Sequence, residues 1–162
     1  MIDFRQITFD NWVECINLTV TEEQQNYVAS NLYSLAEAYA AINTGYTPTL
    51  YAIYTGDVMV GFLMYDHEKG NPEETGYQVN DHYFMLRLMI DKNHQGKGYG
   101  KQAIKKMIEE IKALPQRTTN LIYTSIEPTN ITAEKAYNSV GFQLIGEIVN
   151  NEAVMLLDIS GD

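Results

Sequence analysis

Hydrophobic positions recur along the chain with two different periods, and the change between them marks the predicted elements. Residues 2–8 have the pattern of a strand, and Asp10 is placed to cap a short helix ending at Leu18. Thr21-Glu22-Glu23-Gln24 has the spacing of a capping box, which predicts a helix running to about Ile42. The apolar residues of that segment recur at helical spacing and predict one buried stripe, made of Tyr27, Val28, Leu32, Leu35, Ala36 and Tyr39.

The middle of the chain has the features of three strands. Leu50–Tyr54 and Val58–Tyr65 are rich in β-branched and aromatic residues and flank Thr55-Gly56-Asp57, which predicts a hairpin. Residues 66–78 are polar and contain glycine and proline, so we expect a surface loop there. Tyr83–Ile90 is the strongest strand pattern in the chain.

The next stretch predicts a helix, a strand and a shorter helix. The first helix runs from about Gly100 to Leu114. Its predicted buried face is made of Ala103, Ile104, Met107, Ile108 and Ile111. A strand follows at Leu121–Ile126, and Asn130 is placed to cap a helix that ends near Gly141.

Two closing strands complete the pattern. They cover about residues 143–149 and 152–159, with a turn at Asn150-Asn151, a residue type that tolerates positive φ. The predicted order is β-α-α-β-β-β-α-β-α-β-β, which indicates an α/β (α+β) domain with a mixed sheet flanked by helices. No linker or repeat interrupts residues 1–162, so we expect a single domain.

Charge narrows the choice of partner. The chain has 21 acidic and 11 basic residues and a net charge of −10, which disfavours nucleic acid and favours a small cationic partner. No apolar run approaches the roughly 20 residues that cross a bilayer, and residues 1–5 lack a signal-peptide pattern, so we expect a cytoplasmic protein without membrane contact. Cys15 lies among apolar residues and is predicted to be a buried thiol.

The glycine-rich segment Gln95–Gly100 is the first candidate site. It joins the strongest strand to a helix, where unpaired amides and the helix dipole favour an anion. Gln95 and Gln102 do not fit a nucleotide P-loop, and Lys101 does not fit a dinucleotide fingerprint. A different phosphate-binding motif, Gln-x-x-Gly-x-Gly, and a plain tight turn remain as interpretations.

Two segments together resemble a known family. Arg87–Gly100 is similar to the pyrophosphate motif of the GNAT family of N-acetyltransferases. Asn130–Phe142 resembles the family helix Asn-x-x-Ala-x-x-x-Tyr-x-x-x-Gly-Phe. Within the family, Arg87–Asp91 and Tyr27–Tyr39 resemble bacterial spermine/spermidine (diamine) N-acetyltransferases, except that Ser30 stands where many relatives have proline.

The resemblance implies a fold, a cofactor and a set of residues. It implies a mixed, mostly antiparallel, twisted sheet of about six to seven strands with about four helices, and acetyl-CoA as acetyl donor. It implies that backbone groups near the thioester pair with the pantetheine arm and stabilise the oxyanion, and that the glycine-loop amides hold the pyrophosphate. The implied cofactor-binding residues are Leu88, Met89, Ile90, Gln95, Gly96, Lys97, Gly98, Tyr99, Gly100, Lys101, Asn130 and Ala133. Asn130 can contact the cofactor or simply cap its helix.

Direct transfer without an acyl-enzyme is also implied, and Tyr137 is the candidate acid that protonates the leaving thiolate. The implied acceptor is a primary amine of a polyamine such as spermidine or spermine, in a protein that forms a homodimer. Glu37, Glu23 and Asp81 are candidate carboxylates for a cationic substrate, although water can serve as the base. The histidines lack metal-ligand spacing, so no metal is predicted. Alternatives are a protein lysine or N-terminus, an aminoglycoside, or a non-catalytic acyl-CoA-binding module.

Overall fold

A computed structural model of the chain describes residues 1–70 and 81–161. The strands are β1 Asp3–Gln6, β2 Thr49–Thr55, β3 Val58–Glu68, β4 His82–Ile90, β5 Leu121–Ile126, β6 Gln143–Val149 and β7 Glu152–Asp158. The helices are α1 Trp12–Asn17, α2 Asn31–Ile42, α3 Tyr99–Ala113 and α4 Ile131–Asn138, with a 3-10 turn at Glu22–Gln24.

The seven strands form one sheet in the order β1-β2-β3-β4-β5-β7-β6. Every neighbouring pair is antiparallel except β4 and β5, which are parallel. The predicted fold class is therefore confirmed, including the mostly antiparallel sheet and, within the described residues, the four helices.

Both faces of the sheet are covered. Successive β3 side chains point to opposite faces, so Leu63 joins one hydrophobic cluster and Phe62 the other. The first cluster is completed by the predicted face of α3, where Ala103, Ile104, Met107 and Ile111 are fully buried. The second cluster includes Cys15, and burial raises the pKa of its thiol to about 11. The prediction of a buried thiol is confirmed.

The long helix expected from residue 21 to about 42 is divided in the structure. The capping box at Thr21 does form, with the Thr21 amide donating to Gln24 Oε1 at 3.2 Å, but it starts only a single 3-10 turn. A second cap begins α2, because the Ser30 hydroxyl accepts a hydrogen bond from the Tyr33 amide at 3.2 Å. Ser30, which stands where many relatives have proline, is thus the residue that caps the start of this helix.

The buried stripe predicted for that helix is only partly present, because Val28 and Leu35 pack against the second cluster but the other predicted residues are exposed. Leu32 and Tyr39 are 57% and 74% exposed, whereas the buried residues of α2 are Asn31, Ser34 and Ala38. The prediction assumed one continuous helix. Because the helix is broken before residue 31, residues on either side of the break no longer share one face at helical spacing. Polar Asn31 is buried because its side-chain amide donates to the Cys15 carbonyl at 2.8 Å.

Two further boundaries differ from expectation. Asn11, not Asp10, precedes α1, and its Oδ1 accepts a hydrogen bond from the Thr8 amide at 2.8 Å instead of capping the helix. The expected loop at residues 66–78 begins later, since β3 continues to Glu68, and residues 71–78 lie outside the described residues. Across 1–70 and 81–161 no helix is long and apolar enough to cross a membrane.

Candidate active site

A cleft opens where two parallel strands separate. β4 and β5 are paired only at Tyr83–Ile122 and Phe84–Tyr123, and beyond these positions they diverge. A cavity of about 1540 Å³ lies between them. Met85–Ile90 of β4 form one wall, and Thr124–Ile126 of β5 lie on the other.

A β-bulge in β4 lies at the point of divergence. Met64 of β3 pairs with Arg87 of β4, but the next residue, Tyr65, pairs with Met85. Leu86 is therefore an extra residue in β4, and such a residue bends a strand and changes its direction.

Side chains hold the bulge from both sides. Arg87 donates from Nη1 to the Leu86 carbonyl at 2.9 Å and from Nη2 to Glu37 of α2 at 2.8 Å. On the cleft side, Thr124 Oγ1 donates to the Met85 carbonyl at 3.1 Å, where backbone pairing with β5 has ended. Arg87 was noted in the sequence only as part of a motif, and this anchoring function was missed.

Past the bulge, no strand of residues 1–70 or 81–161 pairs with the cleft side of β4. Alternate backbone N–H and C=O groups of a strand point to each side, so those of residues 85–90 that face the cleft can bind an extended ligand that carries amides. Leu88, Met89 and Ile90 line the cleft here. This is the position that the resemblance implied for the pantetheine arm.

The glycine loop lies at one end of the cleft. Gly96 and Gly98 have φ values of 76° and 77°, in the left-handed region. The first amide bonded back into α3 is that of Gln102, which donates to the Gly98 carbonyl at 3.1 Å, so the amides of residues 99–101 lack helical partners. A Cβ added at Gly96 or Gly98 would meet nothing within 4 Å, so the space in front of the loop is open. Free amides, a helix dipole and open space fit a pyrophosphate.

The Gln95 side chain points into the protein and holds the loop. Its Nε2 donates to the Ile90 carbonyl at 2.9 Å and to Gln24 Oε1 at 2.8 Å, and Gln24 Nε2 returns a bond to Gln95 Oε1 at 3.2 Å. This amide pair joins the 3-10 turn to the loop. The sequence motif singled out Gln95 but did not show that its side chain positions the loop.

Asp91, directly after β4, anchors the other end of the loop. Its carboxylate accepts hydrogen bonds from the Thr19 amide and from both the amide and the side chain of Asn93, each at 3.0 Å. Burial alone would raise the pKa of Asp91, but these hydrogen bonds outweigh it and the pKa is lowered. The sequence feature that could have indicated this anchoring function is an acidic residue placed between a buried strand and a glycine loop.

Tyr137 lies at the opposite wall, on α4. Asn130 caps this helix, with Oδ1 accepting from the Ala133 amide at 3.2 Å, and both residues line the cleft. The Tyr137 ring packs against Phe142 with ring centres 5.9 Å apart.

The surroundings of Tyr137 keep its phenol protonated. Burial raises its pKa to about 12, the negative charge of Glu152 adds to this, and a hydrogen bond with Thr124 acts in the opposite direction. At neutral pH the O–H is therefore intact and can be donated.

The carboxylates predicted to bind a cationic substrate lie outside the cleft lining. Glu23 is exposed in the 3-10 turn, and Glu37 is paired with Arg87. Asp81 Oδ1 lies 2.6 Å from His67 Nε2, which lowers the Asp81 pKa despite burial. These residues were chosen by type and segment, and the sequence did not show that Arg87 contacts Glu37 or that His67 contacts Asp81.

Other carboxylates face the cleft in the described part of the chain, namely Glu68 and Glu152. Glu68 Oε2 lies 3.4 Å from His82 Nε2, and Glu152 accepts a hydrogen bond from the Ser125 hydroxyl. Of the twelve residues expected to bind the cofactor, Lys97 alone does not line the cleft, and its side chain is exposed.

One contact bridges the two sides of the cleft. The Tyr27 hydroxyl, in the segment before α2, lies 3.3 Å from Thr129 Oγ1, in the turn before α4. Thr129 Oγ1 also donates to Glu127.

Comparison with known proteins agrees with this architecture. A model of the acetyltransferase (GNAT) family matches residues 9–142. The chain is 33% identical over 159 residues to a spermine/spermidine N(1)-acetyltransferase of Bacillus subtilis, covering 98% of this chain and 99% of that protein. A probable spermine N(1)-acetyltransferase of Bacillus subtilis subsp. natto matches with the same identity and coverage.

Solved structures share the fold at low sequence identity. An aminoglycoside acetyltransferase in complex with coenzyme A superposes with a TM-score of 0.78 at 16% identity, over 98% of this chain and 95% of that chain. A spermidine N-acetyltransferase from Vibrio cholerae, in complex with CoA and spermine, gives 0.70 at 16% identity, over 97% and 95%. With a family match over most of the chain and relatives aligned from end to end, the chain belongs to the GNAT family and is an acetyl-CoA-dependent N-acetyltransferase.

Proposed function

We propose that this enzyme transfers the acetyl group of acetyl-CoA directly to a primary amine of a polyamine such as spermidine or spermine. One observation carries the transfer chemistry: the unpaired part of β4 joins the glycine loop at one end and faces Tyr137 across the cleft. The polyamine acceptor is supported by the two full-length relatives and by a net charge of −10, which attracts polycations.

The chain's own groups fit the parts of the donor. The amides from Gln95 to Lys101 hold the pyrophosphate, with the Lys101 ammonium at the cleft wall for a phosphate. The backbone of Leu88, Met89 and Ile90 pairs with the pantetheine amides. Acetyl-CoA supplies a thioester carbonyl, and one β4 amide stabilises the negative charge that develops on its oxygen.

Proton transfer completes the reaction. An ammonium has no lone pair, so the acceptor amine loses a proton before it attacks. The Tyr137 hydroxyl then donates its proton to the departing sulfur. The phenol suits this function because it is protonated at neutral pH in its buried position.

A thiol-release assay with acetyl-CoA tests the proposal against its alternatives. Spermidine, spermine, an aminoglycoside and a lysine peptide serve as acceptors, and mass spectrometry identifies the acetylated product. We expect kcat/KM for a polyamine to exceed that for the others by at least about tenfold. Preference for the peptide or the aminoglycoside would contradict the acceptor assignment. Tight acetyl-CoA binding without thiol release would favour a non-catalytic acyl-CoA-binding module.

A homodimer and a cytoplasmic location accompany this proposal as predictions. Sedimentation of the purified chain tests the first, and cell fractionation tests the second.

A further inference from the structure

Glu152 stands apart from the other carboxylates around the cleft. It is the first residue of β7, it follows the Asn150-Asn151 turn, and its partly buried side chain lines the cleft. Glu37 pairs with Arg87, and Glu68 lies 3.4 Å from His82.

No basic side chain in the described residues lies within 4.0 Å of the Glu152 carboxylate. Residues 71–80 contain no lysine, arginine or histidine. The charge of Glu152 is therefore available to a cation that enters the cleft.

Ser125 fixes the carboxylate on the cleft wall. β5 and β7 are antiparallel neighbours, with Ser125 opposite Val154 and Ile126 opposite Ala153. The Ser125 hydroxyl donates to Glu152 Oε2, and Ser125 itself lines the cleft. A single hydrogen bond leaves the other oxygen's lone pairs for a ligand.

Glu152 and the proposed acid line the same cleft. Adjacent residues of β5 contact them, because the Ser125 hydroxyl donates to Glu152 and Thr124 is hydrogen-bonded with Tyr137. The negative charge of Glu152 also contributes, after burial, to the raised pKa of Tyr137. In a reactive complex the attacking nitrogen lies roughly 3–3.5 Å from the thioester carbon, and the sulfur is bonded to that carbon. With the sulfur beside Tyr137, a nitrogen in this position lies inside the cleft, whose wall includes Glu152.

We infer that the Glu152 carboxylate, held by Ser125, binds the reacting ammonium of the acceptor and takes up the proton that it loses. This inference rests on the proposed amine acceptor. It assigns the acceptor-side base, which the sequence left open between a side chain and water.

The steps balance as follows. One proton moves from the ammonium to Glu152 and later to solvent. The neutral nitrogen forms a C–N bond with the thioester carbon, the C–S bond breaks, and its electron pair goes to sulfur. Tyr137 gives its proton to sulfur and is reprotonated by the second proton of the nitrogen. One amide, one thiol and one released proton result from one ammonium and one thioester.

The two groups assist each other. When no acceptor is bound, the negative charge of Glu152 opposes ionisation of Tyr137. A bound ammonium, or a transferred proton, offsets that charge, so the phenol becomes a stronger acid when the acceptor is in place.

Steady-state kinetics of the full chain with acetyl-CoA and spermidine test the inference. We expect Glu152→Gln to lower kcat/KM for spermidine by about 100-fold, with a loss in kcat and a rise in the spermidine KM. Glu152→Asp should recover part of the loss, and Ser125→Ala should lower kcat/KM by roughly tenfold because the carboxylate is less well oriented. The calorimetric Kd for acetyl-CoA should change by less than about twofold in all three, which a general loss of structure would not allow.

Glu147→Gln is the matched control. It removes the same charge from the adjacent strand β6, outside the cleft lining, and should behave as the wild type. If the wild type acetylates spermidine and Glu152→Gln keeps a kcat/KM within about threefold of the wild-type value, the inference is overturned and the proposed function stands. A wild type that acetylates no amine would overturn both. Should Glu152→Gln fail to bind acetyl-CoA, Ser125→Ala decides, and unchanged kinetics there would overturn the inference.

Discussion

At the scale of single residues, burial and neighbouring charge decide which groups can react. Cys15, the chain's one cysteine, is buried and its thiol pKa is raised, so it has little nucleophilic thiolate. Tyr137 is perturbed in the same direction, but it faces the cleft, where a protonated phenol is useful. The same physical effect thus removes one group from the chemistry and prepares the other.

Tyr137→Phe removes the phenol O–H and leaves the ring packed against Phe142. We expect kcat to fall by about 100-fold, because the thiolate then leaves without an internal acid. The Kd for acetyl-CoA should change by less than about twofold, as measured by calorimetry. A kcat within about twofold of wild type would remove Tyr137 from the proposed mechanism.

The raised pKa of Tyr137 also predicts a pH dependence. The acid form is present below the pKa and is lost only as the pH rises through about 12. Before the acceptor binds, loss of the Tyr137 proton should therefore cause no decrease in kcat/KM for spermidine up to about pH 10. A pH profile of kcat/KM for spermidine at saturating acetyl-CoA measures this, and a falling limb near pH 9–10 that disappears in Tyr137→Phe would contradict it.

Asp91 is expected to matter for stability. It is 5% exposed and accepts three hydrogen bonds, so Asp91→Ala should lower the free energy of unfolding by about 3 kcal/mol. Because the folded pKa is lowered, this contribution is present above the unfolded pKa and is lost as the pH falls through the folded value. Urea unfolding at neutral and acidic pH should show the difference between wild type and variant narrowing in acid.

Asp57→Ala is the control for that measurement, since this carboxylate is fully exposed and lies 3.8 Å from Arg5. It should leave the unfolding midpoint unchanged. A constant difference between wild type and Asp91→Ala at every pH would contradict the proposed charge on Asp91.

At the scale of elements, the sequence pattern predicted those features that depend on interactions between residues close together in the chain. The buried face of α3 followed from its periodicity, and the tight turn before α3 followed from the glycines between a strand and a helix. The prediction of one helix from residue 21 was wrong because Ser30 caps a new helix. A serine within a periodic segment does not by itself indicate a helix cap. The bulge at Leu86 comes from pairing with β3, which no local pattern contains.

The glycine loop gives a prediction with a matched pair of variants. Gly98 and Gly56 have φ values of 77° and 58°, and an added Cβ meets nothing within 4 Å at either. Alanine at either position should therefore lower the free energy of unfolding by about 1 kcal/mol through backbone strain, without a steric clash. Gly98→Ala should also weaken acetyl-CoA binding by about tenfold, because relaxing φ turns the loop amides away from the pyrophosphate.

Calorimetric titration with acetyl-CoA measures both variants. Gly56→Ala, in the β2–β3 hairpin, should bind as the wild type does. Equal Kd values for Gly98→Ala and the wild type would show that the loop does not hold the pyrophosphate.

At the scale of the whole molecule, the cleft is assembled from segments far apart in the sequence. Glu152 and Ser125 are 27 residues apart and meet through β5–β7 pairing, while Gln24 and Gln95 are 71 apart. The motifs predicted a cofactor site made of contiguous backbone, and eleven of those twelve residues line the cleft. The carboxylates predicted for the acceptor lie outside the cleft lining, and no local pattern contains the tertiary contacts that decide their positions.

The net charge of −10 predicts a dependence on salt. Screening shortens the reach of the molecule's field to roughly 3 Å at 1 M ionic strength, from about 30 Å at 0.01 M. The KM for spermine should therefore rise several-fold over this range, and the KM for a monoamine should rise less. Initial rates at fixed acetyl-CoA measure both, and equal salt dependence of the two amines would contradict long-range attraction of the polycation.

A crystal structure of the protein with coenzyme A and spermidine tests the central claim most directly. The account predicts the pyrophosphate on the amides of residues 95–101, the pantetheine arm along residues 88–90 of β4, and the sulfur beside the Tyr137 hydroxyl. It also predicts a spermidine nitrogen at the Glu152 carboxylate. Coenzyme A bound outside the β4–β5 cleft, or a sulfur out of hydrogen-bond reach of Tyr137, would contradict it.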